Sequence, residues 1–106
     1  MAKARRNLIA FLAILFSPSA LADAIDGDWC STSESKQFRI AGSTITTPAG
    51  TLTTGNYSRH AFRYVVPQND PGAGDAVAMQ LLNEEEVRVA VNEGEAETWR
   101  RCELIS

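Results

Sequence analysis

Residues 76–91 read AVAMQLLNEEEVRVAV, two runs in which large apolar residues recur at every second position, around a short polar turn. The residues that share an apolar face are Val77, Met79 and Leu81 in the first run and Val87, Val89 and Val91 in the second. Alternation with a period of two is typical of strands with one buried face, and Asn83-Glu84 suits a tight turn between them. The stretch therefore predicts an antiparallel β-hairpin.

The same pattern recurs on both sides of this hairpin, in short segments separated by Gly, Pro, Asn and Asp. The predicted strands are 28–32, 36–41, 44–47, 51–54, 57–66, 76–82, 85–91 and 95–103. No segment shows a helical stripe of ten residues, and the connections are too short for crossover helices, so the strands should run antiparallel. We expect an all-β fold, a small antiparallel meander barrel of about seven to eight strands.

The first 22 residues follow the pattern of a secretory signal peptide. Three basic residues precede a nine-residue apolar run at 8–16, and Ala20-Leu21-Ala22 supplies small residues where a signal peptidase reads the chain. Nine apolar residues are too few for a membrane-spanning helix, which needs about 20. We predict cleavage before Asp23, a single exported β domain at 23–106 that is periplasmic or secreted, and no membrane anchor.

Cys30 and Cys102 are the only cysteines of the chain. Export to an oxidising compartment favours one internal disulfide over a disulfide-linked dimer or a pair of free thiols. An internal bond would tie the first strand to the last, and a meander whose end strands are adjacent is a closed or nearly closed barrel. Such a barrel is just filled by side chains or holds one small ligand.

The exported part of the chain is acidic. Residues 23–106 carry 13 acidic and seven basic residues, a net charge of −6. This argues against nonspecific binding to nucleic acid or to anionic membranes, both of which need a basic surface. It is compatible with a cationic partner, and an inhibitor of a basic cell-wall hydrolase is one such hypothesis. We expect a monomer without a cofactor.

The candidate ligand-binding residues lie in the longest predicted strand, at 57–66. His60 is the only histidine and falls in step with Phe62, which predicts a side chain directed into the barrel near one mouth. A hydrogen-bonded histidine at the end of the core is the alternative. On the opposite face lie Tyr57, Arg59 and Arg63. Their arginines could grip a carboxylate or phosphate, although pairing with acids on neighbouring strands explains them as well.

No catalytic or metal-binding constellation stands out. The Gly-rich loop at 67–75 contains Asn69, Asp70 and Asp75 but lacks the ligand order of an EF-hand, so turn chemistry explains it and we predict no metal. No nucleophile motif accompanies His60. We therefore expect a noncatalytic binding or interaction domain for a protein or small envelope molecule. The alternatives are a small envelope enzyme using His60, and a structural or stress-related envelope protein without a defined ligand.

Several motifs resemble those of a group of short exported proteobacterial proteins. They are Gly27-Asp28-Trp29-Cys30, Ile45-Thr46-Thr47-Pro48-Ala49-Gly50, Gly55-Asn56-Tyr57-Ser58-Arg59-His60, Phe62-x-Tyr64 and Trp99-Arg100-Arg101-Cys102. The resemblance implies periplasmic residence and a compact β domain, without a particular activity. More loosely, Gly27-Asp28-Trp29 and the stretch 99–101 resemble lipocalin-type barrels, which open with Gly-x-Trp and close with a basic residue packed on that Trp. That likeness concerns architecture and implies little about function.

Overall fold

The computed structural model describes residues 24–102, which form nine β-strands. The strands are β1 (Gly27–Ser31), β2 (Gln37–Ala41), β3 (Thr44–Thr46), β4 (Leu52–Thr54), β5 (Asn56–Ser58), β6 (Ala61–Val65), β7 (Ala76–Asn83), β8 (Glu86–Val91) and β9 (Glu97–Arg101). The predicted signal peptide and its cleavage site lie outside the described residues. Within 24–102 there is no helix with the length and apolar character needed to cross a membrane.

All nine strands belong to one antiparallel sheet, in the order β4-β3-β2-β1-β9-β8-β7-β6-β5. The first and last strands pair, with Trp29 opposite Arg101. A disulfide between Cys30 and Cys102 joins these two strands, and their Cα atoms lie 5.0 Å apart. The predicted all-β meander and its internal disulfide are therefore confirmed, with nine strands rather than seven or eight. Such a bond is typical of proteins outside the cytoplasm.

The two edge strands of the sheet, β4 and β5, follow one another in sequence with only Gly55 between them. One residue cannot reverse the chain, so β4 and β5 are two halves of one bent strand, paired with β3 and β6 respectively. The wall then contains an even number of strands, and the antiparallel alternation holds around the whole ring. At the bend, an added Cβ would lie 2.3 Å from the Arg63 carbonyl oxygen, so only glycine fits. The sheet is a nearly closed barrel.

The prediction of one continuous strand over 57–66 is wrong. The chain reverses at Arg59-His60, between β5 and β6. Gly55-Asn56 has the composition of a turn, but in the structure Gly55 permits a close backbone approach inside an extended segment. The two central residues of the true reversal, Arg59 and His60, are not among those that usually mark a turn.

The inward faces of the strands fill the barrel with one apolar cluster. Its twelve buried members are Ile25, Trp29, Phe38, Ile40, Ile45, Phe62, Tyr64, Val77, Met79, Val87, Val89 and Trp99. They follow the period of two read from the sequence, as in β8, where Val87 and Val89 are buried and Arg88 is exposed. Burial of each large side chain contributes about 2 kcal/mol before the entropy of ordering is subtracted.

One end of the barrel is sealed by the segment that precedes β1. Ile25 is fully buried, and its carbonyl accepts a hydrogen bond from Trp29 Nε1 at 2.8 Å. The Arg101 guanidinium lies over the Trp29 ring, 4.1 Å from its centroid. It also donates to the carbonyl oxygens of Ala24 and Asp26, at 2.7 and 2.6 Å. Burial lowers the pKa of Arg101. These contacts hold the segment across the barrel and close this end.

Candidate binding site

The opposite end of the barrel is open and holds a cavity of about 440 Å³. Because the strands alternate in direction, every second connection falls at this end. These connections are the loops at 32–36, 47–51, 66–75 and 92–96. We call the cavity and these four loops the mouth. The cavity volume falls in the range of small-molecule binding sites, which is about 300–1,000 Å³.

The floor of the mouth is aromatic and apolar. Phe38 and Trp99 pack against each other with ring centroids 5.0 Å apart. Trp99 Nε1 donates to Glu97 Oε1 at 2.9 Å, so the polar edge of the indole is satisfied. Tyr64, Met79 and four valines complete the apolar lining of the cavity. Such a floor suits the apolar or aromatic body of a ligand.

Tyr64 brings an unsatisfied polar group to this floor. The residue is only 7 % exposed and lines the cavity. Between residues 24 and 102 no side chain or backbone group hydrogen-bonds its hydroxyl. Burial, and to a smaller extent the negative charge of Asp70, raises the pKa of Tyr64, so the phenol is neutral at physiological pH and its oxygen can accept or donate. Buried phenols usually have a partner, and here the hydroxyl is available to a group in the cavity.

Asp70 fastens the mouth at the place where the backbone ladder is interrupted. β4 pairs with β3 only, so the wall has no backbone hydrogen bonds on the other side of β4. The buried Asp70 carboxylate accepts hydrogen bonds from Thr47 Oγ1 at 2.7 Å and Thr51 Oγ1 at 2.5 Å. It thereby ties the loop at 66–75 to the loop at 47–51. The sequence suggested only turn chemistry for this residue.

Negative charge is concentrated at the mouth. Its loops and the first residue of β9 carry six acidic residues against one lysine, a net charge of −5. The acids are Glu34, Asp70, Asp75, Glu93, Glu95 and Glu97. The lysine, Lys36, is itself engaged with Glu34 at 2.9 Å. The rest of the described chain holds five acids and six arginines, a net charge of +1. The mouth therefore accounts for the acidity of residues 24–102.

His60 lies away from the mouth, in the exposed turn between β5 and β6. The prediction that its side chain points into the barrel is wrong, because the turn breaks the alternation that begins at Phe62. Its carbonyl accepts a hydrogen bond from the Leu81 amide at 2.8 Å, and the Arg59 carbonyl accepts one from the Ile25 amide at 2.8 Å. Both bonds place this turn beside the sealed end.

The other predicted ligand-binding residues also lie on the outer wall. Tyr57 is exposed, and its hydroxyl donates a short hydrogen bond to the Asp26 carboxylate, which raises the pKa of Tyr57. Arg63 is exposed on β6, opposite Asn56 of β5. None of these residues lines the mouth. Within 24–102 no group of three or more His, Cys, Asp or Glu side chains is arranged to hold a metal ion.

The Arg101 guanidinium lies over the Trp29 ring, and the resemblance to lipocalin-type barrels stays a prediction. Comparison of the chain with protein-family models, with curated proteins and with solved structures found no match. The function is therefore inferred from the geometry and charge of the mouth.

Proposed function

We propose that this protein is an exported, noncatalytic binding domain of the bacterial periplasm and that the mouth is its binding site. The asymmetry of the barrel is the observation that supports this most directly. Residues 24–26 and Arg101 seal one end, whereas the other end opens into a cavity of about 440 Å³. Side chains alone can fill a barrel of this size, so the unfilled end is available to a ligand.

The periplasmic assignment is supported by the signal-peptide pattern at 1–22 and by the Cys30–Cys102 disulfide. A noncatalytic role is supported by the lining of the mouth. The described residues that line its cavity include no histidine and no serine or cysteine nucleophile. The enzyme alternative depends on His60, which lies at the sealed end. A His60→Ala variant should therefore keep its fold and leave the cellular phenotype unchanged.

The test is native mass spectrometry of the protein expressed with its own signal and recovered from the periplasm. We expect a species that begins at Asp23, contains the disulfide and carries an additional noncovalent mass. The variant Ala49→Trp places an indole at the rim of the mouth and should lose that mass. Ala41→Trp is the matched control. Ala41 is an exposed residue at the end of β2 that lies away from the mouth, so this variant should keep the noncovalent mass.

Two results would contradict the proposal. One is equal retention of the copurifying mass by Ala49→Trp and Ala41→Trp. The other is a ligand-free wild-type protein whose mouth amide resonances do not move when periplasmic extract is added.

A second candidate function is inhibition of a basic cell-wall hydrolase. The net charge of −5 at the mouth favours it, because complementary charge steers association with a cationic protein. It fails if the purified protein neither inhibits nor binds cationic lysozymes at low ionic strength.

A further inference from the structure

We propose that the occupant of the mouth is a small organic cation, an ammonium group carried on an apolar or aromatic body. This inference rests on the proposed function and specifies the chemistry of the ligand. Three features of the mouth lead to it: a recessed aromatic floor, an acidic rim and the unpartnered hydroxyl of Tyr64.

The depth of the floor favours a small molecule. Phe38 is 2 % exposed and Trp99 is 6 % exposed, and both line the cavity, so only a small part of each ring faces it. A flat protein surface resting on the loops would not reach these parts, whereas a small apolar body can enter the cavity and contact them. Aromatic faces also attract an adjacent cation, which adds about 0.5–2 kcal/mol when the pair is desolvated.

The negative charge of the rim favours a positively charged ligand. Glu95 and Glu97 line the cavity, and so do Asp70 and Asp75. Lys36 is held by Glu34 and offsets little of this charge. An anionic ligand would be repelled from several directions, and a cation would be attracted.

The Tyr64 hydroxyl supplies a specific polar contact. An ammonium N–H can donate to its oxygen while the phenol remains neutral. The nearby Asp70 carboxylate is already occupied by two threonine hydroxyls. It therefore acts on the cation through its charge, while Tyr64 offers the free hydrogen-bonding position. A cationic ligand that has both an N–H donor and an apolar body can pack on the floor, be attracted by the acidic rim and donate a hydrogen bond to the Tyr64 hydroxyl at the same time.

The experiment uses three probes that share one stem and differ in the charge of the head group: 4-phenylbutylamine, 4-phenylbutanol and 4-phenylbutanoate. Each is titrated into the oxidised protein recovered from the periplasm, and the amide resonances of the mouth loops are followed by NMR. We expect the amine to bind about tenfold more tightly than the alcohol, and the carboxylate to bind most weakly. Added salt should lower the affinity for the amine several-fold and leave the affinity for the alcohol nearly unchanged.

Variants separate the contributions of the rim and the floor. Glu95→Gln should lower the affinity for the amine about threefold and leave the affinity for the alcohol unchanged, because the substitution removes only a charge. Tyr64→Phe should weaken both probes, because each loses a hydrogen bond, and a thermal melt checks that the barrel remains folded. Glu85→Gln, in the exposed turn between β7 and β8 at the sealed end, is the matched control and should change neither affinity.

The proposal is overturned if the alcohol or the carboxylate binds as tightly as the amine, or if no probe moves the mouth resonances. The two proposals can fail separately. A copurifying anion that wild-type protein retains and Ala49→Trp loses would support the mouth as the binding site and refute the cationic ligand.

Discussion

Replacement of Arg101 by methionine should open the sealed end of the barrel and cost about 3–4 kcal/mol of folding free energy. The guanidinium donates to three carbonyl oxygens, those of Ala24, Asp26 and Glu84, at 2.6 to 2.8 Å, and lies over Trp29. A hydrogen bond from a charged donor contributes about 1.5–3 kcal/mol. The lowered pKa of Arg101 shows that burial opposes the charge, so the net loss is smaller than the sum of the bonds.

The adjacent Arg100 provides the matched control. Its guanidinium forms an ion pair with Glu86 at 3.0 Å, and the two side chains are 54 % and 34 % exposed. An exposed pair of this kind contributes at most about 1 kcal/mol. Arg100→Met should therefore cost far less than Arg101→Met, although both remove one positive charge from the same strand.

Urea denaturation followed by tryptophan fluorescence measures both losses. With a slope of about 1–1.5 kcal/mol/M for so small a domain, Arg101→Met should lower the midpoint by about 2–4 M. Arg100→Met should lower it by less than about 1 M. Equal losses in the two variants would refute the role assigned to Arg101 as the residue that closes the barrel end.

Three further predictions concern the wall and its charges. Asp70→Ala should lower the free energy of unfolding by about 2–3 kcal/mol and accelerate hydrogen exchange across 66–75, because two threonine hydroxyls lose a buried acceptor. Stability and exchange like those of wild type would show that Asp70 does not hold the loops 66–75 and 47–51 together. Gly55→Ala should destabilise the protein by at least about 2 kcal/mol in a thermal melt, because the added Cβ meets the Arg63 carbonyl. Asn56→Ala, a change at the exposed neighbouring residue, should cost less than about 0.5 kcal/mol. The hydrogen bonds from Arg39 hold the pKa of Asp28 below its ordinary value of 3.8. This pair therefore stabilises the fold above pH 3.8 and ceases to do so as the pH falls through the folded-state pKa. Asp28→Asn should thus be less stable than wild type at neutral pH by under about 1 kcal/mol, because Arg39 is largely exposed, and the difference should vanish in strong acid.

Local pattern was sufficient to predict the class of fold. The period of two is strict wherever one face of a strand is buried, as at Phe38 and Ile40 in β2, and the two cysteines fixed which strands close the ring. The pattern failed at Arg59-His60, because a chain reversal without glycine, proline or asparagine leaves no local signal. The resulting error placed His60 on the wrong face.

The mouth was not identified from the sequence, because its acids are dispersed over more than sixty positions, from Glu34 to Glu97. A usable signal was nevertheless present. In an antiparallel meander, alternate connections lie at the same end, so the strand order alone would have grouped the acidic loops. The Tyr64 hydroxyl could not have been recognised in this way, because whether a phenol has a partner depends on the packing of side chains far apart in sequence.

The pairing of β1 with β9 also determines the order in which the domain can assemble. In a chain that emerges N-terminus first, β1 appears early, but the neighbour that completes its pairing is the last strand of the barrel. Cys30 must wait for a partner 72 positions later, and contacts so distant in sequence form slowly. Until β9 arrives, Trp29 lacks the guanidinium that covers it and the ring cannot close. Formation of the Cys30–Cys102 disulfide therefore marks the point at which the last strand of the barrel has become available.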